Sequence, residues 1–211
     1  YKFQIEDMAA ALPGYTWIGT SVTGEDNVER RHFNPIFYKT DKFEVLESGS
    51  FWYSETPNVP NTKFSDSYSP RMCNWAHFRV KATGKEFYYF NTHLDHKGVV
   101  ARREGVKLVV REVQQIAGRK AAVVVGGDLN STIDDRIFDP LKKFMTPARE
   151  KAPVTDRKGT YNGWGQAPNS MVIDHLFVRN MKCLSYRTLD GDYGVPYISD
   201  HYPIEIVVRL K

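Results

Sequence analysis

Four times in this chain an apolar run gives way to a cluster of Asp, Asn and His. Phe87-Tyr88-Tyr89-Phe90 leads into Asn91-Thr92-His93-Leu94-Asp95-His96, and Val123-Val124-Val125-Gly126-Gly127 into Asp128-Leu129-Asn130. Met171-Val172-Ile173 leads into Asp174-His175, and Val195-Pro196-Tyr197-Ile198 into Ser199-Asp200-His201. Each cluster alone reads as an ordinary turn, because Asp and Asn are turn formers. Together they predict more: strand ends on one edge of a sheet gather in space, and sites collect there. Three Asp, one Asn and two or three His on such an edge make a pocket of hard oxygen donors and imidazole.

That donor set suits hydrolysis of a phosphate ester. Carboxylates and an Asn carbonyl are apt ligands for Mg²⁺ or Mn²⁺ and poor ones for retaining Zn²⁺. The metal neutralises phosphoryl charge and the leaving oxygen. A His held by a carboxylate acts as base toward water or as acid toward the phosphate. Covalent routes lack support: there is no G-x-S-x-G elbow, and neither Cys73 nor Cys183 sits in a His-paired motif. Without a C-x-x-C both cysteines read as buried free thiols, although a single disulfide stays open.

The elements that position these residues follow from periodicity. Phe3 to Leu12 has helical spacing and stops at Pro13-Gly14. Tyr15 to Thr20, Ile36 to Thr40 and Phe43 to Ser48 read as antiparallel strands, punctuated by Gly24, Asn27, Thr40 and Asp41. Glu55 to Pro70 is a long loop of the kind that is often functional. Asn74 to Lys81 and Glu86 to Thr92 form a hairpin pair around Thr83-Gly84. Val99 to Ala117 is a helix with Val106, Val109, Val110, Val113 and Ile116 on one face and Gly118 as its stop. Ala121 to Gly126 has the β-branched run of a strand buried on both faces. Asp134 to Phe144 reads as a second helix, and Met171 to Val178, Cys183 to Thr188 and Tyr202 to Leu210 as further strands. Many strands and few helices in mixed order predict an α/β sandwich, with sheets face to face and helices outside. No G-x-G-x-x-G follows a strand, which disfavours a dinucleotide fold.

Composition agrees with one domain over residues 1–211. Hydrophobic residues make up 41% of the 211 and charged residues 26%, enough for a core and too balanced for global disorder. The longest apolar run, Ala121 to Val125, is far too short to span a bilayer. A net charge of +4 is compatible with a phosphate-bearing substrate without arguing for one. The basic clusters Arg30-Arg31-His32 and Arg102-Arg103 read as solvated surface. The chain begins with Tyr1 and shows no basic segment followed by an apolar one. Periplasmic, secreted and cytoplasmic locations all stay open, as does oligomeric state.

The ordered series Asn91-Thr92-His93-Leu94-Asp95-His96, Gly127-Asp128-Leu129-Asn130, Ile173-Asp174-His175 and Ser199-Asp200-His201-Tyr202-Pro203 resembles the motifs of the endonuclease/exonuclease/phosphatase (deoxyribonuclease I-like) superfamily. Phe51-Trp52-Tyr53-Ser54-Glu55-Thr56-Pro57 resembles a bacterial branch of it. The resemblance implies a four-layer sandwich of two packed, mainly antiparallel sheets flanked by helices. It implies His201 as general base, Asp174 as its orienting carboxylate and Asp128 as the group positioning the water. Asn130 would contact phosphate and metal, Asp200 would be a metal-side carboxylate, and His93 would stabilise phosphoryl oxygens. His96 and Arg71 are weaker candidates for phosphate contact, and Arg102 for bracing the loop.

One departure matters. The superfamily opens with a strand ending in Asn and a second ending in Gln-Glu, whose Glu is the principal Mg²⁺ ligand. Here Glu6 and Asp7 lie inside a helical pattern, so that Glu and the first Asn are absent, and the domain is expected to be N-terminally incomplete. The reading is then a Mg²⁺- or Mn²⁺-dependent phosphoesterase, with little activity expected of the 211 residues alone. Its rivals are a catalytically weak binding domain of the same fold and a nuclease acting on DNA or RNA. Scattered basic residues and an acidic, polar Glu55 to Pro70 loop favour a small phosphate ester over nucleic acid.

Overall fold

The computed structural model describes residues 1–25, 31–168 and 170–211. Asn27 and Arg30, named above for a turn and a basic cluster, lie outside the described residues. Helix α1 (Lys2–Ala11) precedes β1 (Tyr15–Ile18), β2 (Ile36–Lys39) and β3 (Phe43–Trp52). Then come β4 (Met72–Val80), β5 (Glu86–His93), α2 (Val99–Ala117) and β6 (Val123–Asp128). A 3₁₀ turn (Arg136–Phe138) leads to α3 (Asp139–Phe144), β7 (Thr146–Pro147) and α4 (Ala148–Lys151). Strands β8 (Asp174–Arg179), β9 (Met181–Thr188) and β10 (Ile204–Leu210) complete the chain.

One mixed six-stranded sheet, ordered β3-β4-β5-β6-β8-β7, organises the molecule. Its one parallel junction is β5–β6, bridged by α2, because parallel neighbours need a crossover. One face of the sheet carries Trp75, Phe90, Val123, Val125 and Phe177 against Val106, Val109 and Val113 of α2. Each fully buried aliphatic or Phe side chain there contributes about 1.5–3 kcal/mol. The other face is covered by two antiparallel hairpins, β1–β2 and β9–β10. The first covers Ala76 and Phe78 with Ile36, Ile18 and Tyr38; the second covers Val124, Leu176 and Val178 with Met181, Cys183 and Tyr186. This is an α/β sandwich with flanking helices, whose second β layer is split in two. Between the hairpins runs an open cleft of about 940 Å³, walled by Tyr15, Phe37, Ile204 and Ile206.

Several expected elements shift, for local reasons. Met171 to Ile173 is not strand, and β8 starts at Asp174. Thr160 Oγ1 instead accepts the N–H groups of Ile173 and Asp174 and holds this stretch as a loop. Val195 to Ile198 is also irregular, interrupted by Gly194 and Pro196. Asp134 to Phe144 divides into the 3₁₀ turn and α3, because Pro140 in the first turn of α3 has no N–H to continue one helix. Strand β3 runs on to Trp52 past Gly49, over which the Trp75 indole lies too close for a Cβ. Strand β5 likewise extends to His93. Cys73 and Cys183 are both free and buried. Among the described residues no helix is long and apolar enough to cross a membrane.

Candidate active site

Sheet register builds the site. His93 on β5 pairs with Asp128 on β6, and Asp128 pairs with Asp174 on β8. Directly paired residues share a face, so three strands present one row of polar side chains. Gly127 makes this approach possible: a Cβ there would lie 1.8 Å from the Thr92 carbonyl oxygen. Asn130 then turns the chain with φ of 50°, a left-handed conformation that Asn tolerates better than most residues.

His201 reaches the row from the irregular segment before β10. Its Nδ1 lies 2.8 Å from Asp174 Oδ2 and its Nε2 3.8 Å from Asp128 Oδ2. A carboxylate accepts, so Nδ1 carries the hydrogen and Nε2 is left with a lone pair facing Asp128. Burial opposes charge on His201, but the hydrogen bond and charge of Asp174, with Asp128 and Asp200 behind them, raise its pKa above the ordinary value.

On the other side of Asp128, His93 Nε2 stands 3.1 Å from Oδ2. Arg71 Nη1 is 3.2 Å from His93 Nδ1 and Nη2 is 3.1 Å from His96 Nδ1. A guanidinium only donates, so both Nδ1 atoms accept, and His93 presents its N–H to Asp128. Burial opposes the charge of Asp128, yet the bond from His93, the attraction of the His93 and His201 rings and the Asn130 backbone N–H hold its carboxyl below the usual range. Arg71 is itself buried, with Nε 3.8 Å from Asp95 Oδ2 and without a hydrogen-bond partner among the described residues.

The structure thus gathers His201, Asp174, Asp128, His93, Arg71 and His96 into one chain of contacts. Asn130 joins it through Nδ2, which donates to Asp128 Oδ2 at 3.2 Å and to the Leu94 carbonyl at 2.9 Å, leaving Oδ1 available. Asp128, Asp174 and His201 offer donor atoms within 4.8 Å of one another, a spacing that could hold a metal ion. Asp200 is not in that trio; its Oδ1 lies 3.4 Å from Ser199 Oγ. Glu6 is exposed on α1, paired with Lys2 at 3.8 Å. His175 faces the interior, donating from Nε2 to the Ser131 carbonyl at 2.8 Å beside Phe138.

Two groups of residues support the row. Asp95 is buried and accepts four backbone N–H groups, those of Tyr68, Ser69, Lys97 and Gly98. It ties the Glu55 to Pro70 loop to the start of α2, and Arg102 braces the same turn at the Asp95 carbonyl. The second support, Thr160-Tyr161-Asn162, has no counterpart in the motif reading. Thr160 holds the start of β8, Tyr161 bridges His201, and Asn162 bonds the Ser199 and Asp200 carbonyls. A buried polar Thr and Asn within an apparent loop were the only signal of it.

Comparison with known proteins agrees with this geometry. The Endonuclease/Exonuclease/phosphatase family model matches residues 15–201. The crystal structure of an endonuclease/exonuclease/phosphatase from Bacteroides vulgatus is 32% identical, with TM-score 0.91 over 100% of this chain and 82% of that one. A mannosyl-6-phosphatase from Bacteroides thetaiotaomicron is 34% identical, with TM-score 0.88 over 99% of this chain and 82% of that one. Danio rerio TDP2 complexed with a single-strand DNA product shares the fold at 15% identity, TM-score 0.72, over 98% of this chain and 81% of that one. A search of the curated proteins finds no match. With the family matched over most of its length and its motif residues meeting in one row, the chain belongs to the endonuclease/exonuclease/phosphatase family.

Proposed function

We propose that this protein is a divalent-metal-dependent phosphoesterase that hydrolyses a small phosphomonoester by water activated at His201. The observation that carries this reading is the His201–Asp174 pair beside Asp128, continued through His93 to the buried Arg71. Family members are metal-dependent phosphoesterases or nucleases. The 34% identical mannosyl-6-phosphatase supports a sugar phosphate as substrate. So does a net charge of only +4, since duplex binding rests on neutralising many phosphates.

Asp174 holds the imidazole so that His201 Nε2 takes a proton from water, as a base needs an orienting partner. Asp128 lies across from Nε2 and orients that water. Arg71, with His93 and His96 on its two terminal nitrogens, supplies positive charge for the phosphoryl oxygens. The donor chemistry fits Mg²⁺ or Mn²⁺, since Mg²⁺ takes one or two protein carboxylates and keeps several waters. Asp128 and Asp174, with Asn130 Oδ1 and Asp200 as further oxygens, would hold it. When bound, the ion neutralises charge on the phosphoryl and leaving oxygens.

The test is a panel of a hexose 6-phosphate, glycerol phosphate, a nucleoside monophosphate and duplex DNA, each with Mg²⁺, with Mn²⁺ and with chelator. Metal-dependent release of phosphate from the small esters is expected. Faster cleavage of DNA, or turnover that survives chelation, overturns the reading.

A further inference from the structure

His201 is joined to Asp174 by one hydrogen bond, and one bond fixes one atom of a ring. Its Nε2, 3.8 Å from Asp128 Oδ2, is beyond hydrogen-bonding range. The outer torsion of a His side chain has broad wells, so that bond alone leaves the imidazole plane free to swing about Nδ1. A working base has to be held to within about 10–20° of its productive orientation, which calls for a second contact.

Tyr161 makes that contact. It stands opposite His201 in an isolated antiparallel bridge. The bonds of the bridge lie to either side of the pair, from Tyr202 N–H to the Thr160 carbonyl at 2.7 Å and from Asn162 N–H to the Asp200 carbonyl at 2.8 Å. That is the pattern of a non-hydrogen-bonded pair, in which opposed side chains share a face and come closest. The two rings accordingly meet edge to face, with centroids 4.9 Å apart and planes at 62°. Turning the imidazole toward the tyrosine would drive one ring into the other.

The tyrosine is itself fixed. Its neighbours Thr160 and Asn162 are buried. Thr160 Oγ1 accepts the Asp174 N–H at 3.1 Å, and Asn162 Nδ2 donates to the Ser199 carbonyl at 3.0 Å. The hydroxyl end of Tyr161 lies over Gly163, where a Cβ would come within 3.2 Å of it. One short segment thus fixes the backbone of the carboxylate partner, the backbone before the base and the ring beside it.

We infer that Tyr161 is a positioning residue whose ring sets the imidazole plane in which His201 Nδ1 meets Asp174 while Nε2 faces Asp128. The inference rests on the phosphoesterase reading.

Steady-state hydrolysis in Mg²⁺ of hexose 6-phosphate or glycerol phosphate, whichever is turned over faster, tests it in Tyr161→Leu and Tyr161→Phe. Leucine keeps apolar bulk and loses the flat ring, whereas phenylalanine keeps the ring and loses the hydroxyl. Tyr161→Met takes the place of the leucine variant if that one does not fold. Tyr161→Leu should lower kcat ~10-fold, the upper worth of an aromatic pair expressed as a rate, with KM little changed. Tyr161→Phe should keep most of the kcat that Tyr161→Leu loses. The Nδ1 proton of His201, followed by NMR in metal-free protein and assigned by its loss in His201→Ala, should broaden in Tyr161→Leu and not in Tyr161→Phe. Unchanged kcat in Tyr161→Leu overturns this role alone, and so does a loss confined to KM, which would make Tyr161 a substrate contact. A phenylalanine variant as slow as the leucine one overturns it in favour of the hydroxyl. If the unaltered protein releases phosphate from neither ester, the phosphoesterase reading fails and this role with it.

Discussion

The two faces of the six-stranded sheet are covered in different ways. On one, α2, α3 and the 3₁₀ turn form a continuous cover, in which Val113 and Phe138 are fully buried against Phe90, Val123 and Phe177 of the sheet. On the other, the β1–β2 and β9–β10 hairpins stand apart, and the cleft between them runs to Gly127, Asp174 and His201. Dense packing on the first side gives the strands a fixed register. The split cover on the second leaves the ends of those strands reachable from solvent. The polar row sits where these two conditions meet: its positions are set by the closed face and its access by the open one.

Core truncation should break this contrast most forcefully. Phe177→Ala, in the closed face, should lower unfolding free energy by about 3–5 kcal/mol. Val207→Ala, at a position 45% exposed on the open side, should stay within about 0.5 kcal/mol. Chemical denaturation of both variants decides it, and similar losses would mean that the open side is as tightly packed as the closed one.

The seam is tested next. His201→Ala should lower turnover by at least ~10²-fold, the scale of lost general acid–base catalysis. Unchanged turnover would remove His201 from the mechanism. A stability loss without an activity loss would make it a structural cap.

Two pH measurements sharpen the comparison further. His201 has a raised pKa in the folded protein, so its pairing stabilises fully below the unfolded value of ~6.5 and fades as pH rises through the folded one. The stability gap between the protein and Asp174→Asn should therefore shrink as pH rises past that value. A constant gap would contradict the pairing. Asp95 behaves oppositely. Burial raises its pKa, but the N–H groups of Gly98, Lys97, Tyr68 and Ser69 outweigh that and bring it to about 2. Its contribution is present above the unfolded ~3.9 and is lost as pH falls toward 2. Asp95→Asn should flatten that part of an acid titration, and an unaltered curve would show that the loop is held by other bonds.

The smallest effect belongs to Glu6. Its exposed pair with Lys2 is worth about 0–1 kcal/mol, so Glu6→Ala should barely move stability and should leave Mg²⁺ affinity as it was. A marked loss of Mg²⁺ affinity would show that α1 supplies the metal carboxylate after all.

Residue type and order determined a good deal of this protein. Helix α2 has the bounds that its apolar spacing and Gly118 predict, because a one-faced periodicity and a stop are local properties. The four polar clusters were equally legible, since hard oxygen donors and imidazole announce their chemistry whatever surrounds them. What a linear reading could not supply was the register. That His93, Asp128 and Asp174 stand side by side depends on how three strands separated by up to 81 positions align, and only the packing of α2 and β8 on the sheet sets that alignment. The same holds for Asp174, which opens a strand rather than ending one because Thr160 claims its N–H and that of Ile173. The links of Arg71 to His93 and His96, and the split of the second β layer, are likewise tertiary. Side chains more than twenty residues apart meet through burial and hydrogen-bond satisfaction, and neither leaves a mark in local sequence.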